Sequence, residues 1–362
     1  MTPPTTTKQR IVVADDSRLM RRILSDALGR QGFEVVATAA DGDQALQACR
    51  AHRPDAMTLD LAMPGMDGIG VLRALRDGKA EALPVVVVSA FSPAHGARAV
   101  DALAEGAFDL VAKPALGESM DSFTQELGRK VGAATESGRA RKRLAGSTLR
   151  RPVRPHVSTP VPPRPAVAPA RPARTAGKKM VLIASSTGGP KALGDLVPKL
   201  PAPLGSGAMI VQHMPPGFTA SLAARLDAAS KLKVVEATGG EIIDSGHLFL
   251  APGGAHLRFG DDRRLRLSDE APMGGLRPRA DLTILDAAKV YGPSLLLVVL
   301  TGMGKDGLDG ARAVKKAGGR VLVEAESTCV VYGMPRAVAE AGLADEILPL
   351  DELPAAIARE AS

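Results

Sequence analysis

From residue 133 to 178 the chain carries prolines at 152, 155, 160, 162, 163, 165, 169 and 172, with arginines between them and almost no large apolar side chain. Such a segment cannot bury enough apolar surface to offset the entropy lost on ordering it, so it reads as an extended, disordered tether. Folded structure must then lie on either side, in residues 8–132 and 179–358, and each flank is long enough for its own core. The tether also accounts for the charge. The 362-residue chain has a net charge of +7, yet residues 139–179 hold twelve Lys and Arg and no Asp or Glu, leaving 34 basic against 39 acidic residues elsewhere. The basicity thus belongs to one segment, which reads as a solubilising linker ahead of the alternative that it holds an acidic surface or nucleic acid. Aromatic residues are only 2% with no Trp, so base-stacking platforms are scarce. Cys49 and Cys329 lack metal-ligand spacing, which points to a reducing compartment and no zinc site. No apolar stretch approaches the roughly eighteen residues that span a bilayer, and the expected location is cytoplasmic.

In the first flank, apolar runs at Ile11–Ala14, Val35–Val36, Ala56–Leu59, Val85–Val88 and Leu110–Ala112 alternate with helix-patterned segments such as Arg18–Arg30 and Gln44–Ala51. Five such repeats predict a doubly wound parallel sheet, with its site at the carboxyl ends of the strands. Asp15 and Asp16 end the first run, Asp60 the third, Ser89 the fourth and Lys113 the fifth. Three carboxylates suit Mg²⁺, an oxygen-seeking ion, the lysine can hold a phosphoryl oxygen, and an aspartate facing the ion can accept phosphate.

The second flank opens on Met180–Pro190, an apolar run followed by two serines, a threonine and two glycines before a proline that fits the first turn of a helix. A strand, a hydroxyl-bearing turn and a helix expose a serine beside free backbone amides, which makes Ser185 or Ser186 a candidate nucleophile. Further strands are expected at Ala208–Gln212, Leu248–Ala251, Leu295–Thr301 and Arg320–Val323. The loop with His213 follows one of them and the loop with Asp306 another, so Ser, His and Asp are available at one sheet edge for a triad. Gly302-x-Gly304-x-x-Gly307 followed by Glu324 also fits a dinucleotide fingerprint. Against that reading, Asp306 would put a carboxylate beside the pyrophosphate, and the unit does not open a domain.

The first flank resembles the response-regulator receiver family through Asp15, Asp16, Asp60, Met63-Pro64, Met66-Asp67-Gly68, Ser89 and Lys113-Pro114. The resemblance implies that Asp60 accepts phosphate from a histidine kinase, that Asp15, Asp16 and Asp60 organise Mg²⁺, and that Ser89 and Lys113 read the phosphorylated state. Leu110 stands where receivers often carry an aromatic residue. The second flank is similar to the chemotaxis protein-glutamate methylesterase family through Ala184–Gly189, Gln212–Phe218, Thr301–Gly307 and Ser327–Arg336. That similarity implies a Rossmann-like hydrolase needing no cofactor, with Ser186 as nucleophile, His213 as base and Asp306 as its orienter. The implied reaction is hydrolysis of glutamate γ-methyl esters on chemoreceptors, with deamidation of receptor glutamines, so that the membrane is met only through the receptors. Arg279 and Ala280 depart from the family's Pro-Ser-Val-Asp pattern, and at sequence level they are expected to leave the triad untouched. A DNA-binding regulator is disfavoured because the second flank offers no recognition helix, and a docking module would not need Ser186, His213 and Asp306 at three strand ends.

Overall fold

A computed structural model describes residues 8–77, 83–90, 93–114, 120–147 and 178–362. The first domain alternates β1 (Arg10–Ala14), α1 (Arg18–Arg30), β2 (Glu34–Ala39), α2 (Gly42–His52), β3 (Ala56–Leu59), α3 (Gly68–Asp77), β4 (Val85–Ser89), α4 (Pro93–Ala104), β5 (Asp109–Ala112) and α5 (Met120–Ser147). Its five strands are parallel, in the order β2-β1-β3-β4-β5. The central strands are buried on both faces, which is why they read as continuous apolar runs. Helix starts follow local chemistry: Ser17 Oγ accepts the Met20 amide at 3.3 Å and Asp41 Oδ1 accepts the Gln44 amide at 2.8 Å.

α5 corrects the expected domain edge. The helix runs to Ser147, well inside the segment assigned to the tether, because residues 120–147 lack proline and Phe123, Leu127, Val131 and Ala134 are buried against the sheet. The proline-arginine stretch itself, residues 148–177, lies outside the described residues.

The second domain comprises β6 (Met180–Ser185), α6 (Gly189–Leu196), β7 (Ala208–Gln212), α7 (Phe218–Ala229), β8 (Lys233–Glu236), β9 (His247–Leu250), β10 (His256–Phe259), β11 (Leu265–Ser268), α8 (Ala280–Tyr291), β12 (Leu295–Val299), α9 (Leu308–Lys316), β13 (Arg320–Glu324), α10 (Met334–Glu340), β14 (Glu346–Leu348) and α11 (Leu353–Ala361). Seven parallel strands run in the order β14-β13-β12-β6-β7-β9-β8. β8, β11 and β14 are short and partly exposed, and buried β10 is only four residues long with His256 and Arg258 among them, so none carries a strong apolar run and the sequence pattern does not predict them. Neighbouring β12, β6 and β7 bring the loops after them to one edge, and the chain order turns between them, the place where ligands bind in open parallel sheets. The domains touch through α4, packed on α6 and α7, with Arg225 and Asp101 paired at 2.5 Å. Val330 and Val331 of the second domain pack against the first domain's core.

Candidate active site

The turn after β6 separates its two serines. Ser185 is fully buried and donates its hydroxyl to Gln212 Oε1 at 2.7 Å, while Ser186 has only 8% of its surface exposed but makes no such bond among the described residues. Gln212, which the sequence places at a strand end and in the Gln212–Phe218 motif with no role of its own, is a strut: its Nε2 donates to the carbonyls of Ser186 at 2.9 Å and His213 at 3.0 Å. Gly188 has φ +81° and Gly189 follows at the start of α6, with Pro190 in its first turn. A Cβ on Gly189 would collide with Gln212 Oε1. On the neighbouring loop, a Cβ on Gly302 would lie 2.9 Å from Ser186 Cβ, so the backbone after β12 approaches the serine closely.

His213 and Asp306 are in direct contact, Nε2 to Oδ2 at 2.8 Å, and both side chains are almost fully buried. His213 Nδ1 is buried without a hydrogen-bond partner among the described residues. Asp306 is held by more than the histidine. Its Oδ2 accepts the Ala280 amide at 2.7 Å, and its Oδ1 accepts the amides of Asp281 at 2.9 Å and Gly307 at 3.1 Å. Burial opposes its charge, but the bond to His213 and these amides hold its carboxyl below the usual carboxylate range.

The expectation that Arg279 and Ala280 leave the triad untouched is overturned. Ala280 supplies an amide to Asp306, and Arg279 Nε lies 3.5 Å from Asp306 Oδ1 while its Nη2 donates to Asp281 Oδ2 at 3.1 Å. These positions open α8, where the chain faces the loop after β12. Sequence spacing gives no sign of a partner some 26 residues away.

Glu324, the acid of the dinucleotide fingerprint, is buried and engaged within the domain. Its Oε2 accepts the Thr301 amide at 2.7 Å and its Oε1 the Thr328 hydroxyl at 3.0 Å. Burial pushes the Cys49 thiol up to about 11 and the Cys329 thiol upward as well, so neither is a ready nucleophile at neutral pH.

In the first domain, Asp15, Asp16 and Asp60 offer oxygens that all lie within 4.8 Å of one another. Lys113 Nζ is 2.7 Å from both Asp15 and Asp60. Burial opposes the lysine's charge, yet its hydrogen bonds and ion pairs with both aspartates push it up. Burial also raises Asp15, against the pull of Lys113. Ser89 Oγ is buried with no partner among the described residues, at the end of β4 beside this cluster's edge of the sheet. A set of hard oxygen donors fits a divalent cation such as Mg²⁺, and the orphaned hydroxyl fits an incoming oxyanion.

The turn after β6 is also tied to the first domain, at the start of β5 and so at the other end of the strands from the aspartate cluster. Thr187, next to Ser186, donates its hydroxyl to Asp109 Oδ2 of β5 at 2.5 Å, and Asp109 Oδ1 lies 3.3 Å from Lys130 Nζ of α5.

A family profile described as CheB methylesterase matches residues 181–357, and one described as response regulator receiver domain matches residues 11–124. A protein of Symbiobacterium thermophilum named protein-glutamate methylesterase/protein-glutamine glutaminase is 41% identical over 360 residues, covering 97% of this chain and 96% of that protein. A protein of Syntrophomonas wolfei named protein-glutamate methylesterase/protein-glutamine glutaminase 1 is 38% identical over 357 residues, covering 96% and 97%. The crystal structure of the Thermotoga maritima CheB methylesterase catalytic domain is 44% identical, covers 51% of this chain and 98% of that one, and superposes with a TM-score of 0.49.

Proposed function

The chain belongs to the protein-glutamate methylesterase/protein-glutamine glutaminase family with a response-regulator receiver domain in front, and from that premise we propose that it removes methyl groups from glutamate γ-esters of chemoreceptors and deamidates receptor glutamines in chemotaxis signalling. Ser186 is the nucleophile, His213 the base and Asp306 the residue that fixes the imidazole. The observation that carries this reading is the His213 Nε2 to Asp306 contact of 2.8 Å, which leaves a buried, unpartnered Nδ1 for a serine proton. Ser185 is already bonded to Gln212, which leaves Ser186 as the free hydroxyl.

In the reaction, the Ser186 hydroxyl proton passes to His213 Nδ1 as Oγ bonds to the γ-carbonyl carbon. Amides of the turn at the start of α6 face the developing oxyanion. The tetrahedral intermediate collapses, His213 returns the proton to the departing methoxy oxygen, and methanol leaves an acyl-Ser186. Water, losing a proton to His213, then frees the glutamate carboxylate and restores the serine. With a glutamine substrate the leaving group is ammonia.

The receiver carries the regulation. Asp60 accepts a phosphoryl group from a histidine kinase, and Lys113 and Ser89 bond its oxygens. Asp15, Asp16 and Asp60 would hold Mg²⁺, which when bound supplies positive charge to the phosphoryl transfer. In the resting arrangement the receiver covers the hydrolase face, and phosphorylation favours a receiver conformation with lower affinity for it. A protein acting on receptor tails and fed by a kinase works in the cytoplasm, consistent with the fact that no described helix is long and apolar enough to cross a membrane. The test is methanol release from methylated receptor with and without a small-molecule phosphoryl donor. Release that depends on Ser186 and rises with the donor is expected, and no release under either condition would overturn the reading.

A further inference from the structure

Two carboxylates sit behind His213, and the proposed reaction uses only one. Asp306, on the loop after β12, accepts the first amides of α8. Asp281, in the first turn of α8, accepts the amides of Gly307 at 2.9 Å and Gly310 at 2.8 Å at the start of α9. Each acid therefore caps the helix of the other, and each lies at the positive end of a helix dipole. Placed so close, two buried carboxylates repel, and burial together with the charge of Asp306 pushes Asp281 up to about 6. One cation meets both: Arg279, 3.1 Å from Asp281 and 3.5 Å from Asp306, with its remaining fork bonded to the Met273 carbonyl at 3.1 Å. The Arg279 amide donates to Nδ1 of buried His256 at 3.2 Å, which fixes the stem.

We propose that Arg279 and Asp281 are positioning residues of the hydrolase, a charge-compensating pair that keeps the Asp306 carboxylate ionised and aligned on His213. The inference rests on the triad reading. The ionisable groups on the described elements around His213 are Asp306 in contact, Asp281 and Arg279 behind it, His256 beyond Arg279, and exposed Lys305 next to Asp306 in the chain. Arg279 is the cation bonded to the pair. Without it the pair carries an extra negative charge at high pH and takes up a proton more readily as pH falls. Both effects follow from the loss of a positive charge beside two carboxylates, and both predict an acid limb of the rate profile at higher pH.

The experiment measures kcat/KM for methanol release against pH, in the full chain with a phosphoryl donor, for the wild type, Arg279→Gln, Arg279→Lys and Arg279→Gln/Asp281→Asn. The acid limb is expected to move up by about one pH unit in Arg279→Gln, to return most of the way in Arg279→Lys, and to return also in the double variant, where the surplus charge is gone. KM should stay within about twofold, since the pair acts through Asp306 and not on substrate. In parallel, the His213 ring is titrated by NMR in full-chain Ser186→Ala, with and without Arg279→Gln, its signal identified by its loss in His213→Gln. A moved ring titration with an unmoved rate profile would sink the triad reading but keep the pair. An unmoved ring titration and an unmoved acid limb, or a loss of activity that neither Lys nor the double variant restores, overturns the proposal.

Discussion

At Ser185 and Ser186 two adjacent hydroxyls have opposite fates because one is bonded and the other is not. Ser186→Ala should lower kcat for methanol release by several orders of magnitude. Ser185→Ala should keep activity within about tenfold but strip Gln212 Oε1 of its donor, at a cost of about 1–3 kcal/mol in stability by denaturant unfolding. Equal kinetic losses in both would contradict the assignment. At the receiver edge, three aspartates face an incoming phosphate in the proposed reaction with Mg²⁺ to offset their charge, so chelating divalent cations should abolish labelling of Asp60 by a phosphoryl donor while leaving unstimulated hydrolysis unchanged. Asp60→Asn should abolish labelling with the ion present. Labelling that survives chelation would remove the metal from the mechanism.

Among the elements, the β6 turn, the β7 loop and the N-terminus of α8 form a braced unit. Gln212 ties the Ser186 and His213 carbonyls together, and Gly189 leaves room for its amide. Gly189→Ala should push Gln212 aside and misplace the serine against the imidazole, with a loss of about 100-fold or more in kcat/KM and a nearly unchanged far-ultraviolet spectrum. Wild-type kinetics in that variant would mean the turn relaxes without moving Ser186. How much of this could be read from sequence follows the range of the forces involved. Buried parallel strands announce themselves as apolar runs, and strand-end residues such as Asp60, His213 and Asp306 inherit their place from them. The bracing does not announce itself: Asp281 meets Gly307, and Arg279 meets Asp306, across 26 and 27 residues of chain, through bonds that leave no local pattern. α5 runs past its expected end for a related reason, since the buried residues around Val131 and Ala134 gain their place from packing on the sheet and not from a strong local repeat. The short strands β8 and β14 lie at the sheet edges, where partial exposure removes the apolar signal.

On the scale of the whole molecule, the receiver meets the hydrolase beside the serine turn. Thr187 bonds Asp109, Val330 and Val331 pack against the receiver's core, and α4 packs on α6 and α7. A fragment beginning at Lys178 retains Lys179, whose Nζ pairs with Glu360 at 3.2 Å, so the strand that opens the domain stays anchored. That fragment should release methanol without a phosphoryl donor, faster than the unstimulated full chain, and Asp60→Asn in the full chain should remain at the slow rate with the donor present. A fragment no faster than the resting full chain would mean that the receiver activates or steers the hydrolase instead of covering it. The loop from Ser327 to Arg336 has a consequence for how such proteins can change over time. Val331 bonds Thr301 and Gly302 on its catalytic side, while Val330 and Val331 pack on the receiver. A receiver recruited from another regulator would meet a surface already shaped by the needs of hydrolysis, and a drifting hydrolase loop would spoil its own off-state. The two halves are therefore coupled at this seam, and a crossover in the proline-arginine stretch, which parts one side of the seam from the other, should be tolerated only between relatives whose seam residues match.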